Sequence, residues 1–89
     1  LDILNINHSD FLRIIKISNR SIEYRLNSNQ SEQFNVSIFD LTGNMILQKT
    51  EMNNTIKSNK LELKSFKSGI YLLNIFTKEN NYTKKFILN

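Results

Sequence analysis

Apolar and polar residues alternate along most of this chain in short runs, and polar turns separate the runs. A period of two puts successive side chains on opposite faces of a strand, so such runs predict strands rather than helices. The first spans Phe11 to Ile17, with Phe11, Ile15 and Ile17 assigned to one face and Leu12 and Ile14 to the other. Asn19 and Arg20 follow as a turn, because Asn tolerates the left-handed conformation. Ile22, Tyr24 and Leu26 alternate with Glu23 and Arg25, which reads as a strand with one buried face. The polar stretch Asn27 to Gln33 reads as a loop. Phe34, Val36 and Ile38 then alternate with Asn35 and Ser37. Asp40 to Asn44 is the best turn signal in the chain: Gly43 supplies a positive φ, and Met45 to Lys49 returns antiparallel. Glu51 to Asn59 reads as a longer connection, and Leu61 and Leu63 mark a short strand. Ser68 and Gly69 precede the most apolar run, Ile70 to Phe76, whose two apolar faces predict a central or doubly covered strand. Glu79, Asn80 and Asn81 make a tight turn, and Tyr82 to Leu88 forms the last strand.

About seven strands at roughly 8–12-residue spacing predict an all-β fold, an antiparallel β-sandwich of immunoglobulin-like design. A small closed barrel is the alternative. Composition agrees, since Ala, the best helix former, is absent, as is Pro. The 89 residues suffice for a single domain, residues 1–89, and the lack of Cys excludes disulfides and thiolate metal sites. No apolar run approaches the roughly 18 residues of a membrane helix, so no membrane insertion of its own is expected. Leu1 to Ser9 has no basic head followed by an apolar stretch, and the chain starts without Met. It is therefore expected to be a fragment of a longer protein, with no secretory signal peptide of its own.

The net charge of +4 is unevenly placed: Ile46 to Asn89 carries eight Lys against three Glu. A basic half can indicate nucleic acid, but these lysines alternate with apolar residues, as in Lys60-Leu61-Glu62-Leu63-Lys64, which reads as a solvated strand face. No nucleic-acid partner is expected. Catalytic chemistry is not expected either. The single histidine, His8, lies beside Ser9 and Asp10, and a Ser–His–Asp triad needs those groups to converge from separate elements. No Cys/His cluster has zinc spacing, the acids are scattered, and two glycines cannot build a phosphate-cradling loop, so neither metal nor cofactor is expected. Tyr24, Phe34, Tyr71, Phe76, Tyr82 and Phe86 read as core, whereas Phe39 shares a face with Asn35 and Ser37 and is either exposed or marks a strand irregularity.

Three segments carry a resemblance. Val36-Ser-Ile-Phe-Asp-Leu-Thr-Gly-Asn-Met-Ile46 holds a hairpin with Asp40 and Gly43, and Phe66-Lys-Ser-Gly-Ile-Tyr-Leu-Leu73 holds Gly69 and Tyr71. The chain closes with Thr83-Lys-Lys-Phe-Ile-Leu-Asn89. In this order they resemble the type A C-terminal sorting domains of the type IX secretion system, also called the Por secretion system, of Bacteroidota. Upstream, Ile6 to Ile14 resembles a degenerate opening motif in which only Asn7 matches and the prolines are missing. Asn44 and Ser68 also depart from the family pattern.

The resemblance implies a secretion signal that takes a cargo protein from the periplasm across the outer membrane to the medium or the cell surface. It implies an outer-membrane translocon and its shuttle protein as partners, and then a sortase-like peptidase. Asn7, Asp40, Gly43, Gly69 and Tyr71 are expected to serve the fold. Lys84, Lys85, Phe86, Ile87, Leu88 and Asn89 are the expected partner-binding segment, read as an exposed edge strand. The competing role for the two lysines is to protect that edge from aggregation. A carbohydrate-binding or adhesive sandwich on a surface protein is the alternative function.

Overall fold

In a computed structural model, residues 11–18, 20–27, 32–53, 58–78 and 80–89 are described. Seven strands follow in order: β1 (Leu12–Ser18), β2 (Ser21–Leu26), β3 (Gln33–Asp40), β4 (Met45–Met52), β5 (Asn59–Glu62), β6 (Gly69–Phe76) and β7 (Asn81–Leu88). They form two antiparallel sheets, one of three strands in the order β1-β2-β5 and one of four in the order β4-β3-β6-β7. The all-β sandwich read from the alternation is thus the observed fold.

The core lies between the sheets. The three-stranded sheet contributes Leu12, Ile22, Tyr24, Leu26 and Leu61, and the four-stranded sheet contributes Phe34, Val36, Ile38, Leu73, Ile75 and Phe86, all buried. Tyr24 meets Phe34 edge to face, with ring centroids 6.4 Å apart at 87°. Such pairs add stabilisation beyond the area they bury.

Two irregularities correct the sequence reading. The β1–β2 register slips between Ile14 and Lys16, so Ile15 is an extra residue opposite no partner. Leu12 and Ile14 therefore face the core before the bulge, Ile17 packs on it after, and Ile15 is left 48% exposed. A bulge flips the parity of everything beyond it, which is why strict alternation grouped Ile15 with Ile17. The second slip lies between Ile38 and Phe39, where Ile38 pairs with Leu47 but Phe39 with Met45, so Ile46 is the extra residue in β4. This is the strand irregularity anticipated at Phe39, placed on the partner strand. β4 also runs on to Met52, through residues read as a connection, because its pairing with β3 continues to Gln33. Met52 is exposed, so the extension carries little burial signal.

β6 is central, as its apolar content implied, but it is covered on one face only. Tyr71, Leu73 and Ile75 are buried, whereas Ile70 is 38% and Phe76 51% exposed on the other face. Phe76 is thus not a core residue. Among the described non-glycine residues, positive φ falls at Arg20 (63°); Asn19, the residue expected to take it, lies outside the described residues.

Candidate functional site: one end of the four-stranded sheet

The hairpin joining β3 to β4 is built around one carboxylate. Asp40 Oδ1 accepts from the Thr42 amide (2.9 Å), the Thr42 hydroxyl (2.7 Å) and the Asn44 amide (3.0 Å). The Gly43 amide donates to the Asp40 carbonyl (3.1 Å), and the Asp40 amide to the Asn44 carbonyl (3.0 Å). Gly43 then takes φ 94°, a conformation open to glycine at no steric cost. The Thr42 hydroxyl, helped by the Asn44 amide, holds the Asp40 carboxyl below its ordinary range, because these bonds favour the charged form. This turn needs Asp at 40 and Gly at 43 for structural reasons.

Beside the hairpin, the segment entering β6 is fixed by Tyr71. Its hydroxyl donates to the Lys67 carbonyl at 2.6 Å, four residues upstream, in the manner of a tyrosine corner. Its ring lies against Phe66 (centroids 5.4 Å apart) and Phe86 of β7 (5.8 Å). The bend itself is at Ser68, and Gly69 opens β6 opposite Leu88. The three motif segments therefore meet at one end of the sheet.

Their outward residues form ordered rows across that sheet. Across β4-β3-β6-β7 the rows run Thr50–Asn35–Phe76–Asn81, then Gln48–Ser37–Asn74–Thr83, then Met45–Phe39–Leu72–Lys85, ending with Ile70–Ile87. The first two rows are polar apart from Phe76. Thr50 donates to Asn35 Oδ1 (2.9 Å), and Asn74 Nδ2 donates to Asn81 Oδ1 (2.6 Å) and Thr83 Oγ1 (2.9 Å). The last two rows form an apolar patch at the motif end, with Lys85 at its rim. Met45 is 51% and Ile87 58% exposed, while Phe39 and Leu72 are half-buried. Each motif segment supplies two of its residues.

The two outer faces of the sandwich differ in charge. The three-stranded sheet turns Arg13, Lys16, Glu23, Arg25, Lys60 and Glu62 outward. Among the described residues, Lys85 is the one charged side chain pointing outward from the strands of the four-stranded sheet. A solvated face normally carries charge, so the charge-poor face with an apolar end has the composition of a surface that becomes covered.

The terminal segment divides by parity. Phe86 and Leu88 are buried, Lys85, Ile87 and Asn89 are exposed, and Lys84 is half-buried on the core side, opposite Leu73. Asn7 lies outside the described residues. Among the described residues no group of three or more His, Cys, Asp and Glu side chains comes together. A separate depression of about 560 Å³ at the opposite end of the sheet is lined by Asn35, Thr50, Phe76 and Lys78, among others.

The family model of the secretion system C-terminal sorting domain matches residues 2–89, almost the full length. This chain belongs to the C-terminal sorting domains of the type IX secretion system. The match covers all three motif segments, within which Gly43 takes the positive-φ turn position, Gly69 opens β6 and Tyr71 forms the corner. Domains of this family are secretion signals rather than catalysts, and they mark a protein for export to the medium or the cell surface. No curated protein matches the chain. The sequence reading singled out Phe39 but did not join it with Met45, Ile70 and Leu72, because their shared face depends on strand pairing rather than on any local spacing.

Proposed function

We propose that this domain is the C-terminal export signal of a longer cargo protein and has no catalytic activity of its own. It is read by the type IX outer-membrane translocon and its shuttle protein, and then removed by a sortase-like peptidase. We place the reading surface on the apolar end of the four-stranded sheet, with Ile87 and Leu72 as anchors and Lys85 as the cation at the rim. The observation that carries this is convergence, since three separate family segments each turn two side chains onto one exposed patch. Phe86 and Leu88 contribute by holding β7 in the core, Lys84 lies on the core side of the same strand, and Asn89 follows it. Docking a face requires no strand addition to the β7 edge.

The test is a fluorescent reporter with an inner-membrane signal peptide and residues 1–89 at its C-terminus, compared in a type IX-competent bacterium and a translocon mutant. Export in the first and periplasmic retention in the second is the expected outcome. Ile87→Asp and Leu72→Asp should abolish export while leaving the domain folded, whereas Gln48→Asp on the polar rows of the same face should not. Normal export of both patch variants removes the patch from the recognition surface.

One observation favours a second, adhesive reading. The Phe76 ring is 51% exposed at the depression that also presents Asn35, Thr50 and Lys78, a small aromatic platform of the kind sugars stack on. Titration against a polysaccharide panel tests it, and absence of binding across the panel ends it.

A further inference from the structure

Arg20 occupies a costly backbone position. It closes the turn between β1 and β2 with φ 63°, where an L side chain crowds the main chain and Gly or Asn is favoured. A residue held in that region persists when its surroundings over-determine it, and the contacts of Arg20 do so. Its carbonyl accepts from the Leu63 amide at 2.7 Å, just beyond β5. Its guanidinium donates from Nη1 to the main-chain oxygen of Asn89 at 3.1 Å and reaches Ser68 Oγ at 3.4 Å. One side chain rooted in the three-stranded sheet thus bridges the bend before β6 and the end of β7 in the four-stranded sheet.

β7 needs such a tether. It is an edge strand with β6 as its one sheet neighbour, and a strand end held on one side opens more readily than one held on both. The far end of β7 carries the residue that completes the apolar patch, since Ile87 pairs with Ile70, and Leu88 beside it pairs with Gly69. We infer that Arg20 is a positioning residue of the sorting signal, a latch that holds the end of β7 against Ser68–Gly69 and so keeps Ile87 in register with Ile70. A guanidinium suits the task because its plane fixes the two hydrogens of Nη1, which serve the two acceptors at once. This inference rests on the export-signal reading for its biological consequence, but the latch can be measured without it.

Arg20→Asn keeps the left-handed preference and deletes the guanidinium, so backbone strain and latch are separated. In the purified chain, cooperative melting should stay within about 4 °C of wild type. Amide exchange at Ile87 and Leu88 should accelerate about ten-fold, with β3 amides unchanged. In the reporter assay the same variant should lose most export, and Arg20→Lys, which keeps a cation but not the fork, should recover part of it. Leu12→Val is the control. It thins the core at the far end of the β1–β2 hairpin, lowers melting, leaves exchange at 87–88 in step with the rest of the chain, and retains export. Unchanged exchange at Ile87 and Leu88 in Arg20→Asn overturns the latch. Faster exchange with wild-type export overturns its role in positioning. A wild-type reporter that is not exported defeats the sorting reading instead, and the exchange comparison still decides the latch.

Discussion

Two buried tyrosines should respond to the same substitution with opposite signs. Tyr71 is 7% exposed and its hydroxyl donates to the Lys67 carbonyl at 2.6 Å. Tyr24 is fully buried, and its hydroxyl meets no hydrogen-bond partner among the described residues. Burial, reinforced by the negative charge of Glu51, pushes the Tyr24 phenol well above its ordinary range, so it is a neutral hydroxyl at any working pH. Tyr→Phe removes one oxygen from each and leaves both rings in place.

For Tyr71 the loss is one good hydrogen bond in a part-buried position, about 1 kcal/mol. A domain of this size should melt about 4–8 °C lower for each kcal/mol. For Tyr24 the change removes a desolvated, unpaired group whose burial costs about 1–3 kcal/mol, offset in part by a small void, so a gain of about 1 kcal/mol is expected. Urea unfolding followed by far-ultraviolet circular dichroism gives both values and avoids tyrosine emission as the probe. The midpoint should fall for Tyr71→Phe and rise for Tyr24→Phe, with the denaturant slope unchanged. Destabilisation by both, of similar size, would refute the partner assignment and show that the Tyr24 hydroxyl is satisfied.

Gly43→Ala meets no atom within 4 Å of the added Cβ, so only backbone strain opposes it, and unfolding should show a loss of about 1 kcal/mol with the hairpin intact. Asp40 is held below its ordinary pKa, so its contribution is present above the unfolded value and is lost as pH falls through the folded one. The stability difference between wild type and Asp40→Asn should shrink from about pH 5 to pH 2, read by thermal melts across that range. Lys84→Val should leave the fold intact and promote self-association through the β7 edge, seen by sedimentation velocity as species larger than the monomer.

The strands were legible because alternation is a local property. What alternation could not report were the places where the chain inserts one residue, Ile15 and Ile46, since a bulge is set by how two strands pair and not by the spacing within either one. The same limit applied to β6. Its two apolar faces were readable, yet which one meets the core depends on the opposite sheet, and Phe76 went to the outside. β7 was readable in parity, with Phe86 and Leu88 separable from Ile87, but its outward residues acquire meaning only beside Leu72 and Ile70. Arg20 was legible as a turn residue but its side-chain role was not, since Ser68 and Asn89 lie 48 and 69 residues away.

The edges and the face of the four-stranded sheet are treated differently by the sequence. Both edge strands point charge toward the core side: Lys49 and Glu51 in β4, paired with each other at 3.2 Å, and Lys84 in β7. A strand adding to either edge would have to bring its own side chains past these groups, so inward charge discourages edge-to-edge association. The outer face of the same sheet is nearly free of charge and apolar at one end. Under the proposed export role, the domain must stay unpaired until it is read. Blocking the edges while leaving the face open meets that need, and it supports the proposal that the face, rather than the terminal strand as an isolated peptide, is the unit of recognition. The polar rows of Asn74, Thr83, Asn35 and Thr50 then confine the apolar area to the motif end. If the unit is the face, a peptide spanning residues 81–89 should not compete with the folded domain for export. Competition by that peptide would return recognition to the strand.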